Sequence, residues 1–205
     1  MEKIGFIGLG IMGKPMAGHL MKAGHPLSIL ASSAAAPELS KDGVQIFPNP
    51  KSLAANCDVI ITMVPDSPEV EATVYGEFGA LAGIKRGSLF IDMSTIAPAA
   101  SIKLYEAFKE IGSEALDAPV SGGQAGAQAA TLSIMVGGSE QAFERAKPIF
   151  EKMGKNIVHI GKAGAGQTAK TCNQIIVGMT IQAVAGAMTL AKKSGVDLAK
   201  VREAL

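Results

Sequence analysis

The amino-acid sequence predicts an α/β fold built on a doubly wound, mainly parallel sheet. Short runs of aliphatic and β-branched residues, such as residues 4–7, 58–63 and 89–92, alternate with longer segments of helical periodicity. Because these runs are apolar at successive positions, both faces of each strand are expected to be covered by helices. Hydrophobic residues make up 48% of the chain and aromatic residues only 4%, which suits closely packed layers of small side chains.

The first predicted unit is a strand, a glycine-rich turn and a helix. The apolar run at residues 4–7 leads into Gly8, Gly10 and Gly13, spaced G-x-G-x-x-G, and a helical pattern then continues to Gly24. The first glycine permits a tight turn, the second lets a pyrophosphate approach the backbone, and the third lets the helix pack close to the strand. The helix N-terminus offers N–H groups to phosphates. This pattern predicts a dinucleotide site, and the alternative is a plain β-turn-α connection rich in glycine.

The end of the second predicted strand, residues 27–30, bears on the choice between NAD and NADP. Many NAD-binding folds have an acidic residue there that holds the ribose hydroxyls. This chain has Ala31, Ser32 and Ser33 instead, and no arginine accompanies them. The serine hydroxyls are able to donate to a 2′-phosphate, or they are loop serines with no ligand role. The cofactor is therefore predicted as NAD or NADP, with Ser32 as a candidate contact.

Two further strands are predicted to end at the cofactor. The strand at residues 58–63 is followed by Val64 and Pro65, and the strand at residues 89–92 is followed by Thr95. Ligands of such folds bind beyond the carboxyl ends of the strands, so these three residues are expected to border the cofactor. The Thr95 hydroxyl has a second candidate role as the cap of the following helix.

Helix starts are indicated by capping residues and prolines. Asn49-Pro50 has the pattern of an N-cap followed by proline at the first helical position, and Pro98 starts another helix. A later helix begins at Ser139 and is expected to bend or restart at Pro148. Shorter strands are predicted at residues 44–47, 115–117, 132–136 and 157–160.

A candidate carboxylate site follows the strand at residues 115–117. Ser121, Gly122 and Gly123 combine a hydroxyl with backbone N–H groups that no side chain covers. Such a set binds a small carboxylate well, because several donors converge on the same anion.

Residues 164–194 predict one long helix that ends at Gly195. Gly178 and Gly186 inside it each weaken the helix by about 1 kcal/mol relative to Ala, which suggests close contact with another helix or backbone. The apolar stretch at residues 175–190 is interrupted by polar residues and is interpreted as a buried helix rather than a bilayer span.

The start of this helix carries a polar face. Lys170, Asn173 and Gln174 are spaced i, i+3 and i+4, so they share one side of the helix. A lysine near a helix N-terminus lies at the unfavourable end of the helix dipole, which suggests another purpose for Lys170, although most such lysines are simply solvated. Asp197 is expected to cap a final helix.

The net charge and the positions of cysteine and histidine give no indication of a nucleic-acid, membrane or metal partner. The formal net charge is +1, so charge gives no reason to expect a nucleic-acid or membrane partner. Cys57 and Cys172 lack metal or redox spacing and are interpreted as reduced thiols of a cytoplasmic protein, and no signal-peptide pattern precedes the first strand. His19, His25 and His159 are scattered, so no metal site is predicted.

Five motifs in one order resemble a known family. GFIGLGIMGKPMA at residues 5–17 is followed by DMSTIAP at 92–98, DAPVSGG at 117–123, LSIMVGG at 132–138 and GQTAKTCNQ at 166–174. Together they are similar to the β-hydroxyacid dehydrogenases, the group that includes 3-hydroxyisobutyrate dehydrogenase and 6-phosphogluconate dehydrogenase. This similarity spans nearly the whole chain and is far more specific than the glycine motif alone. It implies a Rossmann-type NAD(P)-binding domain at residues 1–163, followed at residues 164–205 by a long interdomain helix and the beginning of an all-helical domain.

The resemblance also implies a role for each candidate site residue. Lys170 is expected to be the catalytic lysine with Asn173 beside it, and both are expected to contact the substrate. Ser121, Gly122 and Gly123 are expected to bind the substrate carboxylate. The residues expected to bind the cofactor are Gly8, Gly10, Ile11, Met12, Gly13, Ser32, Val64, Pro65 and Thr95.

The activity that the resemblance implies is reversible hydride transfer between NAD(P) and a small 3-hydroxy acid or its semialdehyde, with Lys170 as general acid and base. Family members usually continue into a further all-helical portion, so the chain is expected to lack part of a complete enzyme. The apolar surface of the long helix favours a homo-oligomer. The alternatives are a non-catalytic dinucleotide-binding module and a methyltransferase with a similar glycine loop, although the latter leaves DAPVSGG and Lys170 unexplained.

Overall fold

The computed structural model describes the backbone of residues 1–205 and every side chain except that of Lys41. The chain forms two compact units, residues 1–170 and residues 171–205. The first unit contains the sheet and its covering helices, and the second contains the greater part of one long helix and a short final helix.

A single twisted sheet organises the first unit. Along the sheet the strand order is β3-β2-β1-β4-β5-β6-β8-β7, with β9 also paired to β8. The pairs from β3 to β6 are parallel, whereas β8 runs antiparallel to β6 and β7. The strands are β1 (Ile4–Ile7), β2 (Leu27–Leu30), β3 (Gln45–Phe47), β4 (Val59–Thr62), β5 (Leu89–Asp92), β6 (Glu114–Asp117), β7 (Val120–Ser121), β8 (Leu132–Gly137) and β9 (Gly154–Gly161).

The helices lie between the strands in sequence, which is the arrangement that parallel pairing requires. Those of the first unit are α1 (Gly13–Lys22), α2 (Ala36–Leu39), α3 (Pro50–Ala54), α4 (Ser67–Val74), α5 (Pro98–Glu110), α6 (Gly123–Ala129) and α7 (Glu140–Phe150). Helix α8 (Ala165–Lys193) begins in the first unit and continues into the second, which also holds α9 (Leu198–Ala204).

Successive residues of the central strands belong alternately to two apolar clusters, one on each face of the sheet. In β4, Val59 and Ile61 belong to one cluster and Ile60 to the other; in β5, Ile91 and Phe90 are divided in the same way. All five side chains are buried, and complete burial of such a side chain stabilises the fold by about 1.5–3 kcal/mol. The doubly wound, mainly parallel sheet predicted from the apolar runs is therefore confirmed.

Several predicted helix ends are also confirmed. Asn49 caps α3, its Oδ1 accepting from the Ser52 N–H at 2.9 Å, and Asp197 caps α9 by accepting from the Ala199 N–H at 2.8 Å. The predicted restart at Pro148 is wrong, because α7 is continuous from Glu140 to Phe150. Pro148 lies in the last turn, where its missing N–H removes only one helical hydrogen bond.

The second unit differs from two expectations. A Cβ atom built at Gly178 or Gly186 meets nothing within 4 Å, so these glycines do not mark close contacts in this structure. Apolar side chains predicted to be buried, including Ile175, Ile176 and Leu190, are exposed. An apolar composition indicates that the helix surface favours burial, but it does not identify the partner that covers this surface.

Helix α8 is long and apolar enough to cross a bilayer, judged by its length and composition alone. Core helices of proteins without a membrane meet the same criteria.

Candidate active site

The glycine-rich turn has the backbone geometry that its sequence predicts. Gly8 leaves β1 with a φ of +98°, and a Cβ atom there would collide with the Met63 carbonyl oxygen. A Cβ atom on Gly13 would collide with the Gly8 carbonyl oxygen, so α1 packs directly against the turn. Gly10 has open space where its Cβ would be, and a ligand is therefore able to lie against this part of the backbone.

A cleft opens beside this turn at the carboxyl ends of β1, β4 and β5. It lies where the strand order reverses between β1 and β4, the position at which ligands bind in open α/β sheets. Met12 precedes α1 without making a side-chain capping bond. In the first turn the Lys14 N–H donates to the Gly10 carbonyl oxygen at 3.0 Å and Pro15 has no N–H, so among the described residues the Gly13 N–H is the donor of this turn that remains for an anion. The cleft is lined by Gly8, Gly10, Ile11, Met12, Gly13, Met63, Val64, Pro65 and Thr95. All predicted cofactor residues except Ser32 thus come together.

The serines after β2 do not line this cleft. Ser32 is exposed, and the Ser33 hydroxyl accepts a hydrogen bond from the Ala35 N–H at 3.3 Å. A local structural role thus accounts for Ser33. Contact between Ser32 and the cofactor stays a prediction.

Thr95 lines the cleft but does not cap the following helix. The residue before α5 is Ala97, which makes no side-chain capping bond, and the Ala97 N–H donates instead to the Ser67 Oγ at 3.2 Å. The predicted capping role is therefore wrong, because the chain advances two residues beyond Thr95 before the helix begins.

Buried polar groups support the loops that border the cleft. The Ser94 Oγ accepts from the Val64 N–H at 3.0 Å, and the Ser94 N–H donates to Asp92 Oδ1 at 3.1 Å. The same carboxylate oxygen accepts from the Thr62 hydroxyl at 2.8 Å. These bonds join the ends of β4 and β5, and they fix the backbone on which Val64 and Thr95 are carried.

The two buried carboxyl groups of this region hold their protons more tightly than usual. Burial raises the pKa of Asp92 to about 6, against hydrogen bonds from Ser94 and Thr62 that lower it. Burial likewise raises the pKa of Asp117, against backbone N–H donors that lower it. Neither residue was assigned a role from sequence, although Asp92 opens DMSTIAP and Asp117 opens DAPVSGG.

The predicted carboxylate-binding segment connects β7 to α6. Ser121 ends β7 and is half-buried, whereas Gly122 and Gly123 are exposed. The two glycines have φ angles of +133° and +59°, which are conformations that glycine adopts without strain. The segment is thus a tight turn with accessible backbone at the start of a helix.

Helix α6 lies against α1, which brings this segment near the glycine-rich turn. The ring Nε2 of His19 on α1 lies 3.1 Å from the Ala127 carbonyl oxygen at the end of α6. Gln124, in the first turn of α6, lines a groove together with Gly10 and Ile11. The substrate and cofactor segments predicted from separate motifs are therefore neighbours in the first unit.

Lys170 is the last residue of the first unit and is only 8% exposed. Burial lowers the pKa of its amine, because the charged form is less well solvated there. Among the side chains that the structure describes, no carboxylate forms an ion pair with it. The environment therefore favours the neutral amine more than water does.

Asn173 belongs to the second unit and lies three residues after Lys170 on α8. It is half-buried, and its Nδ2 donates to Gln174 Oε1 at 3.0 Å. Its catalytic role stays a prediction.

Comparison with known proteins gives a consistent result. Residues 3–161 match the family model described as the NAD binding domain of 6-phosphogluconate dehydrogenase, and residues 164–205 match the one described as the NAD-binding of NADP-dependent 3-hydroxyisobutyrate dehydrogenase. The 2-hydroxy-3-oxopropionate reductase of Escherichia coli is 47% identical over 203 residues, which are 99% of this chain and 70% of that protein. The chain belongs to the 3-hydroxyisobutyrate dehydrogenase family.

Two 3-hydroxyisobutyrate dehydrogenases show the extent of the likeness. That of Pseudomonas aeruginosa is 42% identical, and the match covers 100% of this chain and 69% of that one. A solved structure from Mycobacterium tuberculosis, a 3-hydroxyisobutyrate dehydrogenase with L-serine, superposes with a TM-score of 0.86 at 40% identity, covering 96% of this chain and 67% of that one. The chain is accordingly an NAD(P)-dependent oxidoreductase of the hydroxyacid dehydrogenase type.

NAD or NADP fits the cleft of this 3-hydroxyisobutyrate dehydrogenase family member. The open space beside Gly10 leaves its backbone accessible to a pyrophosphate, and the Gly13 N–H at the first helical position of α1 is a suitable donor for phosphate charge. Val64, Pro65 and Thr95 also line this cleft.

Proposed function

We propose that this chain catalyses the NAD(P)H-dependent reduction of tartronate semialdehyde (2-hydroxy-3-oxopropionate) to D-glycerate, with Lys170 as general acid and base. The observation that carries the proposal is the burial of Lys170, whose pKa is lowered because its amine is poorly solvated. An amine with a lowered pKa is suited to giving and taking a proton near neutral pH. The 47% identity to the reductase of Escherichia coli supports this choice of substrate.

The cofactor supplies a hydride from its nicotinamide ring when it is bound. Gly8, Gly10 and Gly13 would hold its pyrophosphate, with Ile11 and Met12 beside them at the start of α1. The remaining contacts would come from Ser32, Val64, Pro65 and Thr95. Their part is to fix the cofactor, because the protein contributes position and electrostatics rather than the reducing equivalent.

Lys170 has a different charge in each direction of the reaction. During reduction, negative charge develops on the aldehyde oxygen, and the ammonium form stabilises that charge and donates the proton. During oxidation, the neutral amine accepts the hydroxyl proton. Because burial lowers the pKa of Lys170, the neutral form is reached at a lower pH than for a solvated lysine.

The substrate carboxylate would be held by the Ser121 hydroxyl and the backbone N–H groups of Gly122 and Gly123. When the carboxylate (C1) is held there, the aldehyde carbon (C3) of the substrate would be directed toward the nicotinamide ring. Asn173 would orient Lys170 or donate to a substrate hydroxyl. These contacts together would select a short 3-oxo acid.

A second candidate is the oxidation of 3-hydroxyisobutyrate or the reduction of succinate semialdehyde. The 42% identity to the 3-hydroxyisobutyrate dehydrogenase of Pseudomonas aeruginosa favours it over other reactions. A non-catalytic dinucleotide-binding module is the remaining alternative, and it leaves the burial of Lys170 without a purpose.

A substrate panel separates these candidates. Steady-state reduction of tartronate, methylmalonate and succinate semialdehydes is measured with NADH and with NADPH. We expect the highest kcat/KM with tartronate semialdehyde. A higher kcat/KM with another semialdehyde would contradict the choice of tartronate semialdehyde as the substrate. Tight nucleotide binding without any turnover would support the non-catalytic module.

Replacing Lys170 tests its role directly. Lys170→Ala is expected to lower kcat by about 10²–10⁴-fold, because it removes the proton donor, while the Kd for NADPH stays close to that of the unchanged chain. In the unchanged chain, reductive kcat/KM is expected to fall as pH rises through the lowered pKa of this amine. Lys147→Ala, at an exposed position on α7, is the matched control. Near-normal turnover by the Lys170→Ala variant would show that Lys170 is not the general acid and base.

The remaining proposals concern the whole protein. We propose a cytoplasmic homo-oligomer that acts on a small molecule and has neither a nucleic-acid nor a membrane partner. We also propose that residues 1–163 are its NAD(P)-binding domain and that residues 164–205 begin an all-helical domain. The near-zero net charge supports the first proposal, and the separate family match of residues 164–205 supports the second.

A further inference from the structure

One buried amide joins the start of α8 to the loop that carries Thr95. The side chain of Gln167 is fully buried, its Nε2 donating to the Ser94 carbonyl oxygen at 2.7 Å and its Oε1 accepting from the Ile96 N–H at 3.1 Å. These two backbone groups lie on either side of Thr95. A single side chain therefore holds both neighbours of a cleft-lining residue.

The same turn of α8 is fixed by a carboxylate from β6. Asp117 Oδ1 accepts from the Gly164 N–H at 2.8 Å, and Oδ2 accepts from the Gln167 N–H at 2.8 Å. The N–H groups at the start of a helix have no partner within the helix, and Asp117 satisfies them from a distant strand. Its negative charge also lies at the favourable end of the helix dipole.

Close packing leaves this turn little freedom to shift. A Cβ atom on Gly166 would collide with the Met135 carbonyl oxygen, and one on Gly137 would collide with Asp117 Oδ1. Backbone from β6 and β8 therefore lies directly against the first turn of α8. The position of the turn is set by contacts on several sides.

Lys170 follows Gln167 by three residues on this helix. Three residues advance an α-helix by about 4.5 Å and return to nearly the same face. A displacement of the first turn of α8 thus moves the Lys170 amine by a comparable distance. Because Gln167 bonds to the backbone on both sides of Thr95, its contacts fix the position of the Lys170 amine relative to the loop that lines the cleft.

We propose that Gln167 is a positioning residue that holds Lys170 in register with the cofactor loop at Thr95. The catalytic part of this inference rests on the proposed function, whereas the register itself is a property of the fold. An amide is suited to the task because it donates to one backbone group while it accepts from another. Methionine has a similar length and does neither.

Glutamate at this position provides a reversible test. A protonated Glu carboxyl donates to Ser94 and accepts from Ile96 as Gln167 does, whereas the ionised form can only accept. Burial raises the pKa of a carboxyl group, so Gln167→Glu should keep the register at low pH and lose it at high pH. The same protein thus serves as its own control for folding.

The first measurement reads Lys170 without any turnover. Brief acetylation of the full chain with acetic anhydride, quantified by mass spectrometry across pH, gives the reactivity and the pKa of the amine. In Gln167→Met we expect the amine to become accessible, so that Lys170 is acetylated about 10-fold faster at a pH where the amine is neutral in both proteins. We also expect the pH midpoint of the reaction to rise, because the pKa of the amine returns toward its ordinary value. Gln141→Met, at an exposed position, is the matched control. Unchanged acetylation of Lys170 in Gln167→Met would overturn the proposal.

The second measurement compares kcat, KM and Kd for NADPH at a temperature where every variant is folded. We expect Gln167→Met to lower kcat by about 10–100-fold with little change in the nucleotide Kd. For Gln167→Glu, kcat relative to the unchanged chain should be near one at about pH 5.5 and low at about pH 8.5. A flat ratio, or a kcat that follows only the folded fraction, would contradict a positioning role. If the unchanged chain reduces no semialdehyde, the proposed function fails and acetylation still decides the register.

Discussion

At the scale of single residues, Ala130 shows local strain. It ends α6 with a φ of +54°, in the left-handed region that glycine adopts most readily. The Thr131 N–H donates to the Gly126 carbonyl oxygen at 2.9 Å, which closes the helix and keeps Ala130 in this conformation. A left-handed alanine is unfavourable by about 1 kcal/mol, so the turn is held by its surroundings.

Replacing this alanine with glycine should relieve the strain. Ala130→Gly is expected to raise the free energy of unfolding by about 0.5–1 kcal/mol, and the measurement is urea denaturation followed by circular dichroism. Ala129→Gly, one residue earlier and within the helix, should lower it by a similar amount. If both substitutions lower stability equally, the left-handed conformation of Ala130 carries no strain.

Sequence reasoning found some site residues and missed others for a physical reason. Gly8, Gly10 and Gly13 were predictable because their spacing is local and each serves a backbone turn. Asp117 and Gln167 bond across 50 positions of sequence, and neither has a local pattern that reveals the partner. Their place inside DAPVSGG and GQTAKTCNQ was the available signal.

At the scale of elements, α1 combines one crowded glycine with one free glycine. Gly13 packs against the Gly8 carbonyl oxygen, whereas a Cβ on Gly18 meets nothing within 4 Å. Gly13→Ala should lower the free energy of unfolding by about 1–3 kcal/mol through overpacking, and Gly18→Ala should raise it by about 0.5–1 kcal/mol through reduced chain entropy. Urea denaturation of the two variants measures both effects. Changes of the same sign would refute the packing argument.

Elements differ in how far their sequences specify them. The central strands are β-branched runs with both faces buried, and such runs are recognisable without a structure. Helix α6 (Gly123–Ala129) was not predicted, because its residues GQAGAQA show no apolar periodicity. Contacts with α1, including the His19 bond, stabilise it instead. Helix α8 was predicted in length, but its apolar face could not be assigned a partner.

At the scale of the whole molecule, the buried carboxyl group of Asp92 makes stability depend on pH. Its pKa is about 6 in the folded protein and has an ordinary value of 3.8. Between these values the folded chain retains a proton that the unfolded chain has lost, so stability falls as pH rises. The full difference corresponds to about 3 kcal/mol, reached above the folded pKa. Asp117 acts in the same direction.

Asp92→Asn should remove most of this dependence. Asparagine keeps an oxygen for the Thr62 hydroxyl and the Ser94 N–H but carries no charge, so we expect the variant to be more stable than the unchanged chain by about 1–3 kcal/mol at about pH 8. At about pH 4 the two should be similar. Urea denaturation across this range is the measurement. Parallel pH profiles would show that Asp92 is not the group responsible.

The close packing around the first turn of α8 limits which substitutions the sequence is able to accept there. Asp117, Gly137 and Gly166 come from three separate motifs, and together they occupy one volume in which an added methyl group meets backbone or carboxylate. In a library of random variants we expect few folded proteins with a single substitution at these positions, because a larger side chain at one position collides with atoms of the others. Because these three residues contact one another from distant parts of the chain, we expect a substitution at one of them to be accepted more readily when a second position changes with it.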